Sequence, residues 1–76
     1  MFILRHKYGK VLFGELNEIV RLAGVKEVNR QLVVDNVVYH SFDSSWSKDS
    51  LYNMITYDGL LKLKSNHGWS LFKEVL

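Results

Sequence analysis

The stretch Gly14–Val25, GELNEIVRLAGV, decides how the chain is read. Leu16, Ile19, Val20 and Ala23 recur at i, i+3, i+4 and i+7, the spacing that places all four on one helical face. Glu15, Asn17, Glu18 and Arg21 take the opposite face. Gly14 can cap the start, and Glu15 and Glu18 suit the positive end of the helix dipole. Gly24 ends the helix, because a residue without a Cβ enters the left-handed conformation that follows a last turn. The spacing therefore predicts an amphipathic helix over about residues 15–23.

Upstream, Phe2-Ile3-Leu4 and Val11-Leu12-Phe13 read as strands on either side of the turn Lys7-Tyr8-Gly9-Lys10, a hairpin that feeds the helix. Downstream, Val28 and Leu32 lie four apart and permit one or two further helical turns. Leu32-Val33-Val34 and Val37-Val38-Tyr39 then read as two β-branched strands around a two-residue Asp35-Asn36 turn. Residues 41–50, SFDSSWSKDS, form a loop, from which Ser47 can cap a helix near 48–56 carrying Leu51, Met54 and Ile55.

Two readings stay open for residues 59–65. Asp58-Gly59 followed by alternating Leu61, Lys62, Leu63 and Lys64 is a hairpin signal, yet Asp58 can equally cap a helix that stops at Gly68. Trp69, Phe72, Val75 and Leu76 recur at near-helical spacing, which predicts a helix over 70–76 with Trp69 in the core. The fold class expected is α+β: one domain, residues 1–76, with a small antiparallel sheet of short hairpins packed on the 15–23 helix and one or two further short helices.

A chain of 76 residues buries only about 60% of its unfolded surface, so its stability is small. A hydrophobic fraction of 47% still supports one core and excludes disorder. Two Trp, four Tyr and four Phe are more than such a core must absorb, so some are expected at a partner surface or a homodimer interface. The absence of cysteine excludes disulfide staples. No apolar run is long enough to span a membrane. Phe2–Leu4 precede Arg5, Lys7 and Lys10, the reverse of a signal peptide's order, so a cytoplasmic location is expected. The net charge of +2 is unevenly spread: both ends are basic and the middle acidic. If the ends pair in space, Arg5, Lys7, Lys10, Lys62 and Lys64 supply a patch for phosphate or for an acidic partner.

Leu16–Val25, LNEIVRLAGV, resembles the first helix and turn of a helix-turn-helix, with Ala23, Gly24 and Val25 following the pattern of lactose-repressor-type regulators. The resemblance implies a second helix in the major groove carrying Asn29, Arg30 and Gln31 to adenine and guanine edges. Where those regulators place Ser or Thr after Gly-Val, this chain has Lys26. A wider similarity is to the amino-terminal BRO domain of phage antirepressors: LNEIVRLAGV fills that family's first helix, and ITYDGLLKLKS (Ile55–Ser65) with Phe72 and Val75 fills its closing stretch. It implies a small phage- or mobile-element-type regulator and carries no catalytic residues.

Nothing in the sequence assembles a catalyst. His40-Ser41-Phe42-Asp43 offers suitable residue types, but triad members meet through the fold and not by adjacency. His6, His40 and His67 are too dispersed for a zinc spacing, and no glycine-rich phosphate loop occurs, so no metal, cofactor or small-molecule substrate is expected. Trp46, flanked by serines, reads either as an exposed anchor with Phe42 or Tyr52 beside it, or as a lid folded over the core. The residues thus predict a non-enzymatic binding module whose partner is DNA or a host protein. The first reading is an antirepressor-like regulator; the alternative is a phage-type inhibitor that covers a host protein through its aromatics without touching DNA.

Overall fold

The computed structural model describes residues 1–73 and contains two three-stranded antiparallel sheets and two helices. In chain order the elements are β1 (Phe2–His6), β2 (Val11–Gly14), α1 (Leu16–Leu22), β3 (Val25–Val28), β4 (Gln31–Val34), β5 (Val37–Ser41), α2 (Lys48–Asn66) and β6 (Trp69–Lys73). The first sheet has the order β2-β1-β6 and the second β3-β4-β5. The α+β class is as expected, but the hairpins build two sheets where a single one was predicted.

The β1–β2 hairpin forms as read, closed by the His6 amide donating to Lys10 O (2.7 Å) with Gly9 at φ +102°. The helix predicted over 15–23 is α1, and Ile19, Val20 and Ala23 are all buried. Its N-cap is Glu15, one residue later than expected, and Gly14 instead closes β2 at φ +146°. Gly24, at φ +109°, turns the chain out of the helix as its position implied.

The helical turns expected at Val28 and Leu32 do not form. Val25–Val28 and Gln31–Val34 are antiparallel strands joined by a two-residue turn in which Asn29 and Arg30 both take positive φ (51° and 61°). The physical reason is the density of Val and Leu over 25–34, which buries Val25 against Val34 on a pleated surface better than on a helix. The Asp35-Asn36 turn is of the same left-handed kind (φ 50° and 65°) and joins β4 to β5 as predicted.

Ser47 caps α2, its hydroxyl accepting from the Ser50 amide at 3.3 Å. The helix then continues through Asp58-Gly59 to Asn66, so residues 59–65 are helical. Leu51, Ile55, Gly59, Leu60 and Leu63 form one buried stripe, and that continuous stripe overrides the local turn chemistry. Val25 packs directly on the backbone at Gly59, where a Cβ would lie 2.5 Å from Val25 Cγ1.

The helix expected over 70–76 is replaced by β6, which pairs antiparallel with β1 from Phe2↔Lys73 to His6↔Trp69. Residues 74–76 lie outside the described residues. Trp69 is buried as expected, but Phe72 points to the opposite face. A three-residue spacing in so short an apolar run fits either period, and the free edge of β1 selects the strand. The core beneath both sheets and both helices is Leu4, Ile19, Val20, Leu32, Val34 and Leu63, all essentially inaccessible to water. No helix among the described residues is long and apolar enough to cross a membrane.

Candidate nucleic-acid interface

Among the described residues, the first sheet is covered on one side only. Leu4, Leu12, Leu71 and Trp69 face inward, toward the helices. The alternate residues face outward, and register sorts them into two rows. Phe13, Ile3 and Phe72 lie side by side across β2, β1 and β6; Val11, Arg5 and Ser70 form the next row. Phe13 is 62% exposed and Phe72 53%, large values for phenyl rings that share one surface.

On the outward face itself the charged residue is Arg5, with Lys7 and Lys10 in the adjoining hairpin turn and Lys73 on the inner side, paired with Phe2. Residues 1–14 and 69–73 contain Arg5, Lys7, Lys10 and Lys73 and no Asp or Glu. Because β1 pairs with β6, the two basic ends of the sequence do meet in space. Arg5, His6, Lys7, Ser70 and Phe72 line a recess of about 310 Å³ beside the aromatic row. Lys7 is positioned by its stem, whose methylenes pack over Gly68, and its ammonium sits 5.2 Å from the centre of the exposed Tyr8 ring. Gly68 is required there by its φ of +78° as well as by the close approach of Lys7. His6 is a positioning group: its Nδ1 accepts from the Tyr8 amide (3.2 Å) and its Nε2 donates to His67 O (2.9 Å).

Of the residues singled out in the sequence, Arg5, Lys7 and Lys10 are thus gathered on or beside one sheet. Lys62 and Lys64 are not; both lie on α2, with the Lys62 ammonium 5.1 Å from the Tyr39 ring centre. Asn29, Arg30 and Gln31 lie in the second sheet and on no recognition helix. Arg30 has a different task. Its guanidinium donates to Asp43 O (2.7 Å) and Trp46 O (2.8 Å), and its amide donates to the Glu27 carboxylate (2.6 Å). These bonds hold a non-glycine residue in the left-handed region and fasten the 43–46 loop to the β3–β4 turn.

Phe42 and Trp46 are neighbours, packed edge to face at 5.6 Å between ring centres, with Phe42 also against His40. Trp46 remains 36% exposed. Tyr52 lies on α2 and lines a separate cleft of about 470 Å³ with Val20, Arg21, Val25 and Ile55. In the same loop the Asp43 carboxyl is held below the usual carboxylate range, chiefly by the Ser45 amide, which donates to it at 2.9 Å. This turn therefore gains stability above the ordinary carboxylate pKa and loses it only as pH falls through the lowered value.

One polar chain emerges that the sequence did not suggest. The Asp35 carboxylate accepts from His67 Nδ1 (3.0 Å), and His67 Nε2 accepts from the Tyr39 hydroxyl (2.7 Å). It joins the β4–β5 turn and β5 to the end of α2. The His40–Asp58 pair (3.2 Å) makes a second link between β5 and α2.

The outward residues Ile3, Phe13 and Phe72 were missed because hydrophobic side chains are assigned to the core by default. A signal was present: Phe2-Ile3-Leu4 and Val11-Leu12-Phe13 are apolar at every position, and a sheet covered on one side must expose half of such a run. The chain matches no family model, no curated protein and no solved structure.

Proposed function

We propose that this is a non-enzymatic binding protein, a small cytoplasmic regulator of the phage or mobile-element kind, that engages nucleic acid through the outward face of its first sheet. The observation that carries this reading is the coincidence of Arg5 on the outward face, Lys7 and Lys10 in the turn beside it, no acid in residues 1–14 or 69–73, and two exposed phenyl rings. A polyanion is the partner that such a field attracts, and aromatic rings among the cations add contact area that phosphate alone cannot use. The BRO-domain resemblance, carried by Leu16–Val25, Ile55–Ser65, Phe72 and Val75, is to phage regulators and so favours the regulator reading.

Salt dependence tests the reading. With Arg5, Lys7 and Lys10 each neutralising a phosphate, the logarithm of the affinity should fall with the logarithm of salt with a slope of about −2 to −3. Lys7→Ala and Lys10→Ala should each flatten that slope by just under about one, and weaken all sequences alike. Absence of binding at low salt to any DNA or RNA, single- or double-stranded, would overturn the proposal.

The second reading, an inhibitor that blocks a host protein, is favoured by Trp46, which the Arg30 clamp holds in a fixed and partly exposed position. Under the nucleic-acid reading, Trp46→Ala costs about 1–3 kcal/mol of stability through its lost burial and its packing on Phe42, and leaves nucleic-acid affinity unchanged. Thermal unfolding and a binding isotherm on the same variant check both halves. A loss of about 2–4 kcal/mol in affinity for a captured protein, with stability intact, would instead identify Trp46 as a partner anchor.

A further inference from the structure

We infer that the outward face of the first sheet takes single-stranded rather than duplex nucleic acid, with unpaired bases stacked on Phe72 and Phe13 and backbone phosphates carried by Arg5, Lys7 and Lys10. The inference rests on the nucleic-acid reading above and names the form of nucleic acid that the face can use.

The rings decide between the two forms. Phe13 and Phe72 flank Ile3 on three adjacent strands, so their backbones are about 10 Å apart, two strand spacings. A phenyl ring has no donor or acceptor and cannot hydrogen-bond a base edge in a groove. It offers an apolar face on which an unpaired base can stack. In a duplex the base faces are already stacked on one another, so a duplex lying on this sheet would meet the cations and leave both rings uncovered. An unpaired strand brings bases that are free to stack, and stacking of that kind works with any base.

The cations are arranged to match. Arg5 lies in the row next to the rings, with Val11 and Ser70 as its cross-strand neighbours. Phe72, Arg5, Lys7 and Ser70 share one recess, which brings a stacking face, two positive charges and a hydroxyl within reach of a single nucleotide. Among the described residues no carboxylate pairs with Arg5, Lys7 or Lys10. The helix that the helix-turn-helix resemblance would set against a duplex is ill suited to it: α1 has seven residues, buries Ile19 and Val20, and carries Glu18 in its first turn. A second copy of the chain is a poor occupant, because two such faces brought together would set cations against cations.

The test uses the full chain and fluorescence anisotropy with labelled oligothymidylate, oligouridylate and a mixed-sequence duplex of equal length, at matched salt. The single strands should bind about tenfold or more tighter than the duplex. Phe72→Ala should weaken single-strand binding between about fivefold and a hundredfold, with the salt slope unchanged. Phe72→Tyr, which keeps the ring face, should restore it; Phe72→Leu, which keeps apolar bulk without a ring, should not. Phe72→Tyr and Phe72→Leu should unfold near the parent's temperature and Phe72→Ala only a few degrees below it, since Phe72 is half exposed and its strand partner is Ile3. A duplex bound as tightly as the single strands, with Phe72→Ala indifferent, would overturn the single-strand inference and leave the nucleic-acid reading standing. Phe72→Leu binding like the parent would overturn the stacking and mark the patch as a protein-docking surface. No binding to any of the three probes at low salt would remove both.

Discussion

Ile19→Ala is expected to lower stability by about 2–5 kcal/mol, the range for truncating a fully buried aliphatic side chain. Ile19 is completely inaccessible to water and lies on the inner face of α1 beside Val20. Its loss leaves a cavity that cannot refill easily. Gly14 sits against it on one side, where a Cβ would come within 3.5 Å of Ile19 Cγ2, and the core cluster holds Leu4, Leu32 and Leu63. A domain of this size has only about 4–11 kcal/mol to lose. The midpoint of thermal unfolding should therefore fall by roughly 8–40 °C, at about 4–8 °C per kcal/mol. An unchanged midpoint would contradict the assignment of α1's apolar face to the core.

Gly59→Val should be comparably damaging, for the opposite reason. Val25 stands on the helix backbone at Gly59, and a Cβ there would lie 2.5 Å from Val25 Cγ1 and 2.9 Å from Cγ2. Both neighbours are rigid: Val25 is a buried β-branched residue paired with Val34, and Gly59 is in mid-helix. Forcing α2 away from β3 costs about 3 kcal/mol, the upper end for overpacking. Gly59→Ala should cost less, because the gain in helix propensity offsets about 1 kcal/mol. Trimming Val25 to Ala should recover part of the loss, so the double variant Gly59→Ala/Val25→Ala should be more stable than the two single costs predict. Strict additivity in denaturant titrations would mean that the crossing is looser than described.

The elements legible in the sequence are those whose cause is local. The periodicity of Leu16, Ile19, Val20 and Ala23 yields α1 because helix and core agree there. The Asp35-Asn36 hairpin is visible because Asp and Asn tolerate positive φ unaided. Asn29-Arg30 adopts the same turn, yet Arg is no turn residue. It is held at φ 61° by Glu27 and by the carbonyls of Asp43 and Trp46, partners that only the fold supplies.

Asp58-Gly59 misleads in the reverse direction. Its turn chemistry is real, but the glycine is there to admit Val25, and the buried stripe from Leu51 to Leu63 carries the helix through. β6 depends on the open edge of β1, a contact between opposite ends of the chain that no local pattern encodes. The site divides in the same way. Arg5, Lys7 and Lys10 were legible as a basic end, whereas Phe13 and Phe72 became candidates only once the strand register put them on the uncovered face.

The central claim concerns that face, and residue-level mapping in solution tests it most directly. In a titration of the ¹⁵N-labelled protein with oligothymidylate, followed by amide chemical shifts, the largest changes should fall on Ile3, Arg5, Lys7, Lys10, Phe13, Ser70 and Phe72. The β3–β4 turn and the Phe42–Trp46 loop should stay still. Shifts centred on Asn29–Gln31 or on Trp46, with β1, β2 and β6 unmoved, would contradict it.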